Sequence, residues 1–345
     1  MSMKKLLALL LALSLICCGL ALAEEPAAEE ESQVGKSLSE CSVPRMPANR
    51  LESVRVGTLK GPTTIGLVEL MDRASKGETE LPYEFTMDTA DAFITKMASG
   101  EIDIVTIPAN AAAIWYNKLE GAVKVVDINT LGVLYIVAAA DGVTSMADLA
   151  GKTLALTGKG TTPEWVLRAL LTANGIAEGD VTLEYKSEAT EVMQALVSGA
   201  ADLALLPQPF VTAACAQNEN LRVVLDMTEE WNKAMPDSQL CTGVTVVRTA
   251  FLEEHPTVVD AFLADHAQSA AFANEHIAEA AELVAAAGII EKAPVAEKAI
   301  PKCNIVCLSG EEMKAALSGY LKALCDLEPS AVGGTLPDDA FYYVG

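Results

Sequence analysis

Along residues 54–107, the spacing of hydrophobic and polar residues switches several times between the pattern of a strand and the pattern of a helix. The stretch 54–59 alternates apolar and polar residues and ends at a turn, which predicts a strand. The stretch 65–74 has apolar residues at helical spacing. A second strand over 82–87 and a second helix over 89–99 follow, and 102–107 is apolar throughout, as in a strand buried on both faces. The pattern therefore predicts a β-α-β-α-β unit.

The same unit occurs a second time in the chain, 99 residues later. Residues 99–108 read SGEIDIVTIP and residues 198–207 read SGAADLALLP, with Ser, Gly, Asp and Pro at matching places. KGPTT at 60–64 likewise returns as KGTTP at 159–163. Each ten-residue phrase is interpreted as a glycine that ends a helix, a buried strand, and a proline that ends the strand. Two units near 100 residues each predict two similar α/β lobes with parallel pairing and right-handed crossovers, and are too few for a solenoid.

Candidate ligand-binding residues follow from where open α/β sheets bind ligands, beyond the carboxyl ends of their strands. The Thr pairs open helices whose free N–H groups suit an anion, the lysines offer positive charge, and Asn and Gln can orient a polar solute. Trp165 lies one turn into the helix that follows KGTTP and is a candidate for an aromatic wall of the binding site. The candidates are Lys60, Thr63, Thr64, Asn110, Thr161, Thr162, Trp165 and Gln208. The alternative is that Ser, Thr and Pro here are ordinary helix caps and that the lysines are ordinary surface residues.

The N-terminus has the features of an export signal. Two lysines precede an apolar run over 6–16, and the small-x-small site at 21–23 is followed at once by acidic residues. We therefore predict a signal peptide over 1–23 and an acidic flexible spacer over 24–50. Lipidation at Cys18 is the alternative fate. The mature chain is expected outside the cytoplasmic membrane, in the periplasm or at the extracellular face, either free or lipid-anchored.

Charge and residue counts exclude several kinds of partner and site. The net charge of −23 disfavours nucleic acid and anionic lipid headgroups. Six cysteines follow the predicted signal peptide. Export of the chain would allow them to form disulfides but does not require it. The three histidines all fall in a predicted helical stretch over 251–287, and the spacing of Cys303 and Cys307 is not a usual zinc pattern. No metal site and no cofactor are predicted.

Four stretches carry a resemblance to a known family: residues 54–71, the two SG-x-x-D-[IL]-x-x-[IL]-P phrases, residues 145–171 and residues 243–263. They are similar to the bacterial extracytoplasmic solute-binding proteins of ABC importers. The branch is the one related to receptors for sulfonates, taurine, nitrate and thiamine precursors. The similarity covers nearly all of the mature chain and is more specific for the fold than for the ligand.

The resemblance implies a two-lobed, venus-flytrap architecture of the type II periplasmic-binding-protein class, α/β with mixed, mainly parallel sheets. The chain would cross between lobes near 138–143 and again near 241–245. Lobe 1 would then comprise residues 51–140 and 244–345, and lobe 2 residues 141–243. The helical stretch near the C-terminus would pack back on lobe 1.

The function implied by the resemblance is non-enzymatic solute capture. A small polar, anionic solute (a sulfonate, a carboxylate or a heterocycle) would bind between the lobes and pass to an ABC permease with its ATPase. The receptor would be monomeric and would meet the membrane only through the permease or a lipid anchor. The alternatives are an enzyme of the same fold in pyrimidine or menaquinone-precursor metabolism, or a sensor that reports to a membrane kinase. The sequence shows no nucleophile-elbow motif and no cysteine-rich motif of the pyrimidine synthases.

Overall fold

Residues 51–139, 141–177 and 179–345 are described by the computed structural model. The predicted signal peptide (1–23) and acidic spacer (24–50) lie outside the described residues. The stretch Leu51–Gly345 forms one compact unit.

Strands and helices alternate through most of this unit. In chain order the strands are β1 (Val54–Thr58), β2 (Tyr83–Met87), β3 (Ile104–Pro108), β4 (Val123–Leu131), β5 (Leu134–Ala138), β6 (Thr153–Leu156), β7 (Thr182–Tyr185), β8 (Leu203–Pro207), β9 (Arg222–Asp226), β10 (Cys241–Arg248) and β11 (Ile305–Ser309). The helices are α1 (Pro62–Ile65), α2 (Val68–Lys76), α3 (Ala90–Ser99), α4 (Ala109–Lys118), α5 (Thr162–Ala173), α6 (Ala189–Ser198), α7 (Phe210–Gln217), α8 (Met227–Ala234), α9 (Thr249–Glu254), α10 (Pro256–Glu275), α11 (Ile277–Ala286), α12 (Ala293–Ala299) and α13 (Gly310–Leu327).

The strands form two mixed sheets, which confirms the predicted α/β class. The first has the order β11-β4-β10-β3-β1-β2 and the second the order β7-β6-β8-β5-β9. In the first sheet β1 pairs in parallel with β2 and β3, while β10 is antiparallel to β3 and β4. In the second sheet β6 pairs in parallel with β7 and β8, while β5 is antiparallel to β8 and β9. The antiparallel strands β5 and β10 are each the first strand that the chain forms after it has crossed from one sheet to the other.

The repeated sequence unit is a repeated structural unit. Each copy runs strand, helix, strand, helix, strand: β1 to β3 in the first sheet and β6 to β8 in the second. Gly100 and Gly199 end the helices α3 and α6 in the left-handed conformation, with φ of 77° and 75°. The strands β3 and β8 that follow are buried up to their terminal prolines. The interpretation of the ten-residue phrase as helix end, buried strand and strand end is confirmed.

The aspartate of that phrase has different surroundings in the two copies. Asp103 is 1% exposed and its carboxylate accepts hydrogen bonds from the guanidinium groups of Arg55, at 2.6 and 2.8 Å, and of Arg248, at 2.9 Å. Asp202 is exposed, and no ion pair or side-chain hydrogen bond involves it in the described part of the chain. The residue that matches Arg55 in the second copy is Leu154. The ion-pair cluster is therefore a feature of the first sheet alone.

The chain changes sheet earlier than the predicted 138–143 crossing. β4 ends at Leu131 in the first sheet and β5 begins at Leu134 in the second, so the first crossing falls between these residues. β5, which the prediction placed in lobe 1, belongs to the second sheet. The second crossing lies between Asp226 and Cys241, and α8 occupies part of it. The lobe boundaries themselves stay a prediction.

The predicted helix over 251–287 is broken into three. α9 ends at Glu254 and α10 begins at Pro256, because His255, the residue before the proline, is disfavoured in the helical region. A second break falls at His276, which has φ −116° and ψ 56°. α10 packs on α2, β4 and β11 of the first sheet, as expected for a segment that returns to lobe 1.

One hydrophobic cluster connects the two sheets through the C-terminal helix α13. It contains Val105 of β3, Leu154 of β6 and the buried face of α13, which includes Leu317, Tyr320 and Leu321. α13 packs against α5 as well as against β4 and β10. The two halves therefore share apolar core and are not joined by the two crossings alone.

Two further observations concern the predicted compartment. Within the described ranges, no helix combines the length and the apolar character that a membrane span requires. The cysteines at 215, 241, 303, 307 and 325 are all unpaired.

Candidate functional site

The predicted residues of the first lobe lie in the loop after β1 and the single-turn helix α1. Thr63 and Thr64 are buried, and the hydroxyl of Thr64 donates to the carbonyl of Leu59 in its own loop. Lys60 is exposed. Because α1 is only four residues long, its N-terminus is a weak anion site, and the expected pair of helix N-termini reduces to the one at α5.

Asn110 and Thr162, predicted from opposite lobes, meet directly. The Thr162 Oγ1 donates a hydrogen bond of 2.8 Å to the Asn110 Oδ1. Asn110 lies in the first turn of α4, directly after β3, and its Nδ2 donates to the carbonyl of Ala331 at 3.3 Å. Thr162 is the first residue of α5. Both side chains are buried, so the carboxyl ends of the two matching units face each other without solvent between these groups.

The other candidates around α5 are engaged near the surface. Thr161 is exposed and its Oγ1 donates to the Gly158 carbonyl at 2.7 Å. The ammonium of Lys159 lies 5.6 Å from the centre of the Tyr185 ring. Trp165 is half-buried, and its indole N–H is buried without a hydrogen-bond partner among the described residues. Trp165 is therefore the member of this group with an unused donor.

Sequence reasoning missed Glu164, whose carboxylate occupies the N-terminal end of α5. It is buried and accepts from the Gly160 N–H at 2.5 Å and from the Arg168 Nε at 2.7 Å. Burial raises the pKa of Glu164, but hydrogen bonds from Gly160, Tyr185 and Arg168 outweigh it and leave the pKa below its usual value. An ionised carboxylate therefore already lies at the N-terminal end of α5, where we expected an anionic ligand.

Gln208 follows the buried strand β8 and has half of its amide unused. It is fully buried, and its Oε1 accepts from the Thr212 hydroxyl at 2.8 Å and the Thr212 N–H at 3.3 Å. Its Nε2 has no partner in the described part of the chain. The Gln208 N–H donates to Val133 in the first crossing, which places this residue beside the hinge.

A second set of residues missed by the sequence reasoning forms the floor of the seam, at β4 and β10. A Cβ added to Gly243 would contact the Thr63 side chain and lie 2.5 Å from the Asn129 Oδ1. Asn129 is buried and also accepts from the Thr130 Oγ1 at 3.0 Å. Only a glycine at position 243 lets Thr63 approach this pair. The signal available in the sequence was a glycine within the predicted second crossing near 241–245.

Tyr320 on α13 reaches the same seam from a distant part of the chain. It is fully buried, its ring lies 5.5 Å from that of Trp231, and its hydroxyl neighbours Thr162. Burial strongly raises the pKa of Tyr320. Trp115 and Trp231 are buried core residues. We call the set Thr63, Asn110, Asn129, Thr162, Gln208, Gly243 and Tyr320 the inter-lobe seam.

A cavity of about 270 Å³ lies outside this seam. It is bounded by α5, β7 and the end of α13, and is lined mainly by apolar side chains such as Leu171, Leu183 and Leu327. None of the eight predicted site residues lines it. In the seam, by contrast, Thr162 and Asn110 are in direct contact, so a ligand there would separate or bridge groups that now pair with each other.

Comparison with known proteins agrees with this architecture. Residues 117–280 match the family model "NMT1/THI5 like". An ABC transporter protein from Parabacteroides distasonis superposes with a TM-score of 0.70 at 24% identity, over 84% of this chain and 98% of that one. The chain has the type II periplasmic-binding-protein fold. The resemblance predicted from the sequence is thereby confirmed at the level of the fold.

Other proteins of the type II periplasmic-binding-protein fold superpose at lower identity. The periplasmic aliphatic sulphonate binding protein SsuA from Escherichia coli gives a TM-score of 0.68 at 17% identity, over 85% of this chain and 92% of that one. The periplasmic nitrate-binding protein NrtA from Synechocystis PCC 6803 gives 0.53 at 14% identity, over 76% and 74%. No curated protein sequence matches the chain. Solute-binding proteins predominate among these structural neighbours.

Proposed function

We propose that this protein is an extracytoplasmic receptor that binds a small polar solute in the inter-lobe seam and delivers it to an ABC-type permease with its ATPase. The observation that carries the proposal is the Thr162–Asn110 hydrogen bond. It joins the matching ligand-binding ends of the two repeated units at 2.8 Å. Those are the ends at which open α/β sheets bind ligands. The receptor acts as a monomer, exported to the periplasm or held at the outer face by a lipid anchor.

The solute would take up hydrogen-bonding capacity that the seam, and Trp165 one turn along α5 from Thr162, leave unused or pair internally. The Gln208 Nε2 and the Trp165 Nε1 are buried donors without partners among the described residues. Thr63, Thr162 and Asn110 add hydroxyl and amide groups, with Thr64, Lys60 and Lys159 at the margin, whereas the exposed Thr161 hydroxyl is already bonded within its own loop. Buried polar groups of this kind stabilise a solute that satisfies them and reject one that does not.

An anionic solute, a sulfonate or carboxylate, is the class we propose, with an uncharged heterocycle as the competitor. The unpartnered donors of Gln208 and Trp165 favour an acceptor-rich group. The names of the sulphonate-binding and nitrate-binding neighbours agree with an anion. Glu164 opposes it, because its charge sits at the N-terminus of α5 and uses the Gly160 amide. The anionic group should therefore face Gln208 and the first lobe rather than Gly160.

A solute that contacts both repeated units would favour a closed form of the receptor. A solute that bonds to both units gains all of its hydrogen bonds only when the units are together, so it shifts the population toward the closed form. The permease would then recognise that closed form.

A thermal-shift screen of the purified chain tests the proposal. Sulfonates, carboxylates, nitrate, pyrimidines and amino acids are added one at a time, and a bound solute raises Tm by mass action on the native state. A rise in Tm with compounds of one class identifies the chemical class of the solute. The absence of any shift across these classes would count against solute binding, and shifts with pyrimidines alone would count against the anion.

The Thr162→Val variant is expected to bind the solute identified by that screen roughly 10-fold more weakly, because valine keeps the shape and removes one buried hydroxyl. Isothermal titration measures the change. Thr161→Val is the matched control, since that hydroxyl is exposed and bonds only within its own loop. Equal losses in the two variants would contradict the placement of the site at Thr162.

A further inference from the structure

Asp127, on β4, is a buried carboxylate. Its Oδ1 accepts from the Thr245 hydroxyl at 2.8 Å and its Oδ2 lies 3.0 Å from the Nδ1 of His266. In the described ranges no lysine or arginine forms an ion pair with it. A carboxylate removed from water needs a compensating positive charge. The candidates are the imidazolium form of His266 and a cation bound at this place.

Two neighbours of Asp127 carry groups that can bind a metal ion. His266, on α10, is fully buried, and the ring nitrogen that faces Asp127 is Nδ1, which lies 3.0 Å from Oδ2. Cys307, on β11, is half-buried, and its thiol makes only a long contact of 3.9 Å with the Leu263 carbonyl. One ligand atom from each of Asp127, His266 and Cys307 lies within 4.8 Å of the other two.

We propose that Asp127, His266 and Cys307 form a binding site for a divalent transition metal ion, with zinc as the best fit. Thiolate, imidazole and carboxylate are the ligand types that zinc takes in proteins, whereas magnesium and calcium prefer oxygen alone. A thiolate and a carboxylate together neutralise the two positive charges of the ion. Zinc lies about 2.0 to 2.3 Å from such ligands, so the three atoms, now within 4.8 Å of one another, would have to draw closer to share one ion.

The three ligands come from separate parts of the chain, which explains why the sequence predicts no metal site. β4 and β11 are neighbours in the first sheet and α10 packs on both. A bound ion would therefore fix α10 to the sheet. The Thr245 hydroxyl on the other oxygen of Asp127 would orient that ligand, as outer hydrogen bonds do in known metal sites. None of the residues proposed to bind the solute is a ligand.

Cobalt and zinc titrations of the full chain, after treatment with a chelator, test this site. Cobalt should bind at one equivalent and produce a thiolate-to-cobalt charge-transfer band in the near ultraviolet, and zinc should displace it. Zinc should also raise Tm by mass action. If the buried charge is balanced by His266 alone, the wild-type chain shows neither the band nor the zinc-dependent shift, and the proposal is wrong.

Variants assign the site to these residues. Losing a group that only supports a metal ligand costs roughly 10- to 100-fold in affinity, so Cys307→Ser should weaken zinc binding by more than about 100-fold and abolish the band. His266→Gln should remove the zinc-dependent rise in Tm. Cys325→Ser, another half-buried cysteine but outside the cluster, should leave both signals unchanged. A cobalt band that survives in Cys307→Ser would overturn the assignment. Solute binding in the thermal-shift screen is a separate readout, so this proposal and the receptor function can fail independently.

Discussion

Replacing Asp103 by asparagine is expected to lower the free energy of unfolding by about 2 to 3 kcal/mol. The carboxylate is buried and accepts charge-assisted hydrogen bonds from both Arg55 and Arg248. Breaking a fully buried ion pair costs about 3 to 5 kcal/mol, and hydrogen bonds to charged groups contribute about 1.5 to 3 kcal/mol each. The two arginines are partly exposed (36% and 23%), and water can therefore compensate some of their charge. Urea unfolding at neutral pH measures the difference.

The repeat supplies the matched control for this prediction. Asp202 occupies the same place in the second copy and is exposed, so Asp202→Asn should change stability by no more than about 0.5 kcal/mol. If both substitutions lowered the free energy of unfolding equally, the stabilising effect of the aspartate would come from its position in the repeated sequence and not from its ion pairs with Arg55 and Arg248.

The effect of Asp103→Asn should depend on pH. Burial raises the pKa of Asp103, but hydrogen bonds from Arg55 and Arg248 outweigh it, so its pKa in the folded protein lies below the ordinary 3.8. A carboxyl with a depressed pKa stabilises the folded state above its unfolded-state pKa and loses that contribution as the pH falls. The gap between wild type and variant should be full at neutral pH and should shrink below about pH 4. A gap that stays constant down to pH 2 would contradict an ionic origin.

The helices and strands of the two repeated units could be predicted from the sequence, because their hydrophobic pattern and their turn residues agree with their surroundings in the folded protein. The glycines at 100 and 199 and the prolines at 108 and 207 mark the same helix ends and strand ends in both copies. The contrast between Asp103 and Asp202 was also within reach of the sequence, since the Arg55 of the first copy is replaced by Leu154 in the second. Residues at fixed offsets from a repeat are predictable because the repeat fixes their register.

The composition of the seam was only partly predictable, because several of its members belong to no repeat. Asn110 and Thr162 were found through their place after matching strands. Gly243 lies in the predicted second crossing, but nothing in the sequence shows that the side chain of Tyr320, from a later segment, returns to the cleft. The His266 cluster needs β4, α10 and β11 to be brought together, and only tertiary packing does that.

The Gly243→Ala variant is expected to lose both stability and solute binding. A methyl group at this position would overlap the Thr63 side chain and approach the Asn129 Oδ1 at 2.5 Å, and neither can retreat easily because both are buried. Forcing an extra methyl group into a packed site costs about 1 to 3 kcal/mol. Denaturant unfolding measures this loss, and titration with the identified solute measures the binding.

The matched control for Gly243 is Gly61→Ala, at the start of α1. A methyl group at Gly61 meets nothing within 4 Å, and its backbone is extended, with φ 161°. This variant should keep wild-type stability although it lies in the loop beside Thr63. If Gly243→Ala destabilises the chain yet binds solute with unchanged affinity, the floor of the seam is structural and the solute lies nearer Gln208. If it weakens binding by tenfold or more while Gly61→Ala does not, contact between Thr63 and the β4–β10 floor is part of the site. The two outcomes differ because overpacking at the floor moves Thr63 and Asn129 together, whereas Gln208 is held separately by Thr212 and the Val133 carbonyl.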